Sequence, residues 1–139
     1  MLRDLPGGFE LDDDPMRIDR AEAHRFLSGE SYWAKGRPRG TMDAMIDNAA
    51  RVVGLYTEGS MVGFSRTISD GHSQSYLADV YVLPEFRGSG LGVELVRFTV
   101  DEGPLAHTKW LLHTEDAHGL YRKFGFDTPT ENVLERGSR

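Results

Sequence analysis

The sequence contains no cysteine. That absence excludes a disulfide framework, thiolate zinc sites, iron–sulfur clusters and a cysteine nucleophile together. It also has no apolar run near the length of a bilayer span, so no membrane-spanning helix and no membrane partner are expected. The opening Met1-Leu2-Arg3-Asp4-Leu5-Pro6-Gly7-Gly8 lacks the apolar core of a signal peptide, and a cytoplasmic chain is expected. Basic residues are in deficit: 16 Lys and Arg stand against 22 Asp and Glu, a formal net charge of −6. That balance argues against a phosphate backbone as partner, so no nucleic acid is expected. It suits solubility and mildly favours cationic partners. The five histidines (His24, His72, His107, His113 and His118) lack a metal-ligand spacing such as H-E-x-x-H, and no metal is expected. There is no internal repeat, and Asp12-Asp13-Asp14 reads as a solvated turn.

What is there is one domain. The chain has 139 residues, 39% hydrophobic and 27% charged, enough to bury a core without staples. The abundant residue is glycine, 16 of 139, above the usual share of about 7%.

Residues 9–18 read as an edge strand broken at Pro15. Asp19 caps a helix, with Glu22 in the capping-box position and Ala23, Phe26 and Leu27 on one face, ending near Gly29. A second helix starts at Thr41 and carries Met42, Met45, Ile46 and Ala49 at helical spacing. Strands come next at 52–56, 61–69 and 75–83, joined by Glu58-Gly59-Ser60 and Asp70-Gly71-His72. A helix over 93–100 ends at Gly103-Pro104. Residues 110–113 form a buried strand, 116–124 a short helix closed by Gly125, and a last strand begins at Phe126, extended by 132–134. The order is β-α-α-β-β-β-α-β-α-β, a mixed α/β sheet with a parallel crossover.

Arg87-Gly88-Ser89-Gly90-Leu91-Gly92 sits between a buried strand and a helix. Glycines let backbone approach an anion, and a helix N-terminus offers unpaired N–H groups and positive potential. Arg87 adds a permanent charge. The other reading is a tight strand-to-helix turn. A P-loop needs Lys-Ser/Thr after the last glycine, but here Gly92 precedes Val93-Glu94. The G-x-G-x-G spacing after a hairpin also departs from the Rossmann fingerprint.

Val82-Leu83-Pro84-Glu85-Phe86-Arg87-Gly88-Ser89-Gly90-Leu91-Gly92 resembles the acetyl-CoA loop of the GNAT superfamily of N-acyltransferases. The core signature Q/R-x-x-G-x-G/A falls on Arg87, Gly90 and Gly92. A second block, A-x-x-L-Y-x-x-x-G-F, falls on Ala117, Leu120, Tyr121, Gly125 and Phe126. The element order resembles the family's along nearly the whole chain, least specifically in the two early helices.

The resemblance implies a mostly antiparallel sheet flanked by helices, with a splayed central parallel strand pair admitting acetyl-CoA as co-substrate. It places the pyrophosphate on the loop at Arg87, Gly88, Ser89, Gly90, Leu91, Gly92 and Val93. It places the pantetheine arm along Val80 and Val82, with Ala117, Leu120 and Phe124 lining the far side. Thr114 stands where the family often has Asn. Tyr121 matches the tyrosine that protonates the departing thiolate; a core aromatic is the other reading. Dimers are common among the proteins it resembles, so a homodimer is expected.

With no thiol for an acyl-enzyme, direct attack by a primary amine is the simplest route. That amine must lose a proton, since its pKa is about 10.4. Asp79, in an apolar strand, is the candidate base, its pKa expected to be raised. Some family members carry Glu one position earlier, where this chain has Ala78. A hydrogen-bonding role for Asp79 and a water relay are the alternatives. Tyr32 and Trp33 are candidate walls for the acceptor, expected to be a small-molecule amine. Arg66 and Asp70 are candidates facing the same cleft. Lys35-Gly36-Arg37-Pro38-Arg39 reads as a solvated loop or an anion contact. The rival to an enzyme is a sensor that binds acyl-CoA without turnover.

Overall fold

The computed structural model describes residues 1–138. Its strands are β1 (Leu2–Leu5), β2 (Phe9–Asp12), β3 (Arg51–Thr57), β4 (Ser60–Ser69), β5 (Gln74–Val82) and β6 (Lys109–Leu112). The helices are α1 (Arg20–Gly29), α2 (Arg39–Asp47), α3 (Leu91–Val100) and α4 (His118–Arg122). The strands lie in chain order in one sheet, antiparallel from β1 to β5, with β5 and β6 parallel. The mixed α/β sheet and its parallel crossover through α3 are as expected.

Two ends differ from expectation. Leu2–Leu5 is a strand, paired with β2 around Pro6-Gly7-Gly8, where both glycines have positive φ. This is hairpin-turn chemistry between short apolar runs. At the other end no strand forms after Phe126 among the described residues. Phe126 packs edge-on against Tyr121 at 5.9 Å, and residues 127–138 are exposed. Pro129 has no N–H to give a ladder, and Val133 and Leu134 alone cannot anchor a strand. The parallel pair is therefore terminal in the described sheet, with β6 as its outer strand.

Asp19 starts α1 by accepting from the Glu22 N–H at 3.0 Å. Phe26 then stacks on Tyr81 at 4.1 Å between centroids. With Leu27, Met42 and Ile46, it buries one sheet face together with Val52, Phe64 and Tyr81. α3 covers the opposite face through Leu91, Leu95 and Phe98 against Val53, Leu55, Val62 and Val82. α2 begins two residues earlier than the sequence suggested, immediately after Pro38.

The C-terminal end of α3 is closed by a side chain from another element. Arg51 is buried, and its Nη1 donates to the carbonyls of Phe98, Thr99 and Glu102 at 2.8, 2.9 and 2.9 Å. Helix ends leave such carbonyls without partners. A Cβ at Gly103 would lie 2.8 Å from that guanidinium, so glycine is required there. Arg51→Met keeps the apolar stem and removes the donors. It is expected to cost about 1–3 kcal/mol in urea unfolding; a loss under about 0.5 kcal/mol, the level of an ordinary surface substitution, would refute this capping role.

Candidate functional site

The site forms where β5 and β6 separate. Their register runs from Gln74↔Lys109 to Leu77↔Leu112 and stops, while β5 continues to Val82. The edge of β5 from Ala78 onward, including Val80 and Val82, is left without a strand partner on that side. Here β5 is also irregular. Phe64 pairs with Tyr81 and Arg66 with Ala78, so Ser65 faces both Asp79 and Val80. Asp79 takes φ 56°, one of two non-glycine residues with positive φ among those described. This is a bulge, and the extra residue re-aims the side chains beyond it. Leu77 packs under α3, yet Tyr81, an even number of positions later, lies on the opposite face with α1.

At one end of the opening lies the glycine loop. Gly88 and Gly90 have φ of 92° and 86°, the left-handed region that favours glycine. Gly90 caps α3 with no side-chain hydrogen bond, and the first intrahelical bond is Glu94 N–H to the Gly90 carbonyl. The amides of Leu91, Gly92 and Val93 are the orphan donors of the first turn. A Cβ at Gly88, Gly90 or Gly92 would meet nothing within 4 Å, so open space lies beside the loop. Arg87 and Ser89, both exposed, lie beside them, and Arg87 Nε donates to the Val82 carbonyl at 2.8 Å. This loop can cradle an anion.

Across the opening, α4 presents Tyr121. The ring is buried, and the hydroxyl has no protein partner yet is not sealed. Burial pushes its pKa up to about 12, with Tyr32 and Asp116 adding to the rise. The phenol therefore stays protonated at neutral pH. Ala117, Leu120 and Phe124 pack around it as partly buried wall residues. The Thr114 hydroxyl accepts from the Ala117 N–H at 3.1 Å and so starts α4, leaving its own O–H available.

Tyr32 and Trp33 reach the opening from the α1–α2 segment. Ser31 fixes that segment by donating to the Leu27 carbonyl and accepting from the Ala34 N–H. The two rings meet edge-on at 5.1 Å, and the Tyr32 hydroxyl accepts from the Glu115 N–H at 3.0 Å. Trp33 Nε1 donates to Asp79 at 2.9 Å. Both are about half exposed and do not belong to the core.

Asp79 requires a correction. It is buried, as expected, but its pKa is lowered, not raised. Burial pushes it up, and the Arg37 and Arg66 guanidinium groups more than offset that. Arg37 forks onto both oxygens at 2.8 and 3.2 Å, Arg66 Nε donates at 2.9 Å, and Trp33 adds the fourth bond. A carboxylate has about four lone-pair positions, so none remains to take a proton. Asp79 anchors this cluster, and the raised pKa expected of a base is not found there.

Asp70 is also corrected. Its carboxylate accepts from the N–H groups of His72, Ser73 and Gln74 and from the Ser73 hydroxyl. These bonds hold its pKa well below the carboxylate range. It shapes the β4–β5 turn and does not face the cleft. Arg37, in the segment read as a solvated loop or an anion contact, contacts an anion of the protein itself, Asp79, and is largely buried there. Tyr76 was missed altogether. Its hydroxyl bonds His113 Nδ1, and burial raises its pKa, with Glu135 adding to the rise. Nothing local in the sequence marked it.

Residues 48–128, over half of the chain, match the model of the acetyltransferase (GNAT) domain. A protein of Xanthomonas campestris pv. campestris assigned to the GNAT family is 34% identical, with a TM-score of 0.86 over 94% of this chain and 93% of that one. A predicted acetyltransferase of Clostridium acetobutylicum, solved with acetyl-CoA, shares the fold at 16% identity and TM-score 0.67, over 99% and 96% of the chains. An uncharacterised N-acetyltransferase of Pyropia yezoensis is 28% identical over 73% of this chain. The chain spans only 40% and 61% of the lengths of two curated relatives it matches. Among the described residues no helix is long and apolar enough to cross a membrane. The glycine loop, the split strand pair and the tyrosine helix all fall within the matched segment, and with them the chain belongs to the GNAT acetyltransferase family.

Proposed function

We propose that this chain is an acetyl-CoA-dependent N-acetyltransferase that acts directly on the primary amine of a small molecule. The observation that carries this reading is the placement of a glycine-bordered helix N-terminus and a protonated, unpartnered phenol on the two sides of one strand split. Acetyl-CoA, when bound, supplies an activated acetyl thioester. The amides of Leu91, Gly92 and Val93, with Arg87, would hold its pyrophosphate. The edge of β5 at Val80 and Val82, which β6 does not reach, would take its amide-bearing arm, and Ala117, Leu120 and Phe124 would cover the other side.

Tyr121 would donate a hydrogen bond to the leaving sulfur. A thiol has a pKa near 8.5, well below about 12 for this phenol, so the role is stabilisation of the thiolate as it forms rather than full proton loss. With Asp79 saturated, the ammonium proton would leave to solvent through the open cleft. Saturation of Asp79 also favours the second reading, a sensor without turnover.

One variant separates the two readings. Tyr121→Phe is expected to lower the rate of CoA thiol release about 100-fold, the lower range for a positioned proton donor. Its Kd for acetyl-CoA, read by calorimetry, should be unchanged. Unchanged turnover would remove the role of Tyr121. Binding of acetyl-CoA by wild type with no release of thiol to any amine would leave the sensor.

A further inference from the structure

Arg66 uses only one of its two donor edges. Its side chain is 7% exposed, and its Nε donates to Asp79. Nη1 and Nη2 have no partner among the described residues, and neither is sealed from the surface. They open on a groove of about 660 Å³ between α2 and β4, lined by Thr41, Ala44, Met45, Asn48 and Ile68 with Arg66. The walls are mainly apolar, with Ile68 and Ala44 exposed and Met45 partly so.

The local charge is also unbalanced. Two guanidinium groups, Arg37 and Arg66, share one carboxylate, and neither has another acidic partner among the described residues. The cluster keeps one positive charge in a chain of net −6. A buried charge without a counter-ion is costly unless paired. The free Nη1/Nη2 edge has the planar, two-donor geometry that a carboxylate matches. A single excess charge fits a monoanion, one carboxylate on one guanidinium edge.

We propose that the acceptor is a carboxylate-bearing amine with an apolar substituent, such as an aliphatic amino acid. Its carboxylate takes the free edge of Arg66, and its substituent lies along Met45 and Ile68. This rests on the acetyltransferase reading above. Transfer forms the amide C–N bond and breaks the C–S bond. Of the two protons the ammonium nitrogen gives up, one goes to sulfur and one to solvent.

The test has a binding arm and a turnover arm. Calorimetry compares N-acetyl-L-leucine with N-acetyl-L-leucinamide, which differ only at the carboxylate. The acid is expected to bind at least about 10-fold more tightly, as a charge-assisted bond implies. CoA release is then compared for L-leucine, L-leucinamide, isoamylamine, 2-aminoethyl phosphate and spermidine, with L-leucine expected to lead in kcat/KM by a similar factor. Arg66→Lys, which keeps the charge beside Asp79, should erase the preference for the acid. Ala44→Glu, on the groove-lining face of α2, should do so with the unfolding midpoint retained. Equal binding of acid and amide, or preferred transfer to the amide, phosphate or polyamine, would overturn the proposal. Failure of acetyl-CoA to bind would instead sink the acetyltransferase reading, while the acid-to-amide ratio still decides the role of Arg66.

Discussion

Gly90→Asp is expected to remove measurable CoA binding while leaving the fold close to its original stability. Gly90 has φ 86° and caps α3. Aspartate is among the few residues that visit this backbone region without a large penalty. Its carboxylate would also sit at the positive end of the helix, which favours α3. The same carboxylate stands among the amides of Leu91, Gly92 and Val93, where the pyrophosphate is proposed to lie. Repulsion there, and loss of one or two bonds to a charged group, correspond to at least about a 100-fold rise in Kd. Gly92→Ala sharpens the point. Gly92 is helical, its φ is ordinary, and a Cβ there meets nothing within 4 Å. Folding alone would prefer alanine by up to about 1 kcal/mol. A variant that gains stability in urea yet loses CoA affinity in calorimetry would show that glycine is there for a ligand's approach. Undiminished affinity in both variants would refute the loop assignment.

These glycines were legible because a turn, a helix start and an anion site all demand the same residue in a short local string. The α4 block was legible for the same reason: Leu120, Tyr121 and Phe126 lie within one turn or its exit. The N-terminal hairpin was equally local, and Pro6-Gly7-Gly8 carried its signal. Among the described residues the final strand does not form, because apolar residues after Phe126 are too few to bury a face.

The cluster around Asp79 was illegible for a different reason. Trp33, Arg37 and Arg66 come from segments far from Asp79 in sequence, and only the folded sheet brings them together. The bulge compounds this. Strict alternation from Leu77 assigns Asp79 and Tyr81 to the α3 face, whereas the inserted residue turns Tyr81 to the α1 face. A positive φ at an aspartate leaves no mark on composition. Reasoning from an apolar neighbourhood therefore predicted desolvation correctly but lacked the two cations that reverse its effect.

That reversal makes Asp79→Asn the most destabilising substitution expected in the molecule. The amide keeps the volume and loses the charge, so Arg37 and Arg66 are left facing one another with no anion between them. Removing one partner of a buried ion cluster costs about 3–5 kcal/mol, against a total stability of about 5–15 kcal/mol for a domain. The pH dependence carries the sign. The folded pKa of Asp79 lies below its unfolded value of about 3.9. The unfolded chain thus binds the proton first as pH falls, and the stabilisation is fully present above that value. It is lost progressively as pH drops from about 3.9 toward the lower folded pKa. Urea unfolding of wild type and Asp79→Asn at pH 7 and at steps down to pH 3 should show a constant gap above about pH 5, the window set by the unfolded value. Below about pH 4 the gap should shrink, because protonation makes wild type resemble the variant. A gap that is absent at pH 7 would mean the carboxylate does not bind the two guanidinium groups together. A gap that widened on acidification would mean that Asp79 folds with a raised pKa, which would restore it as a candidate base.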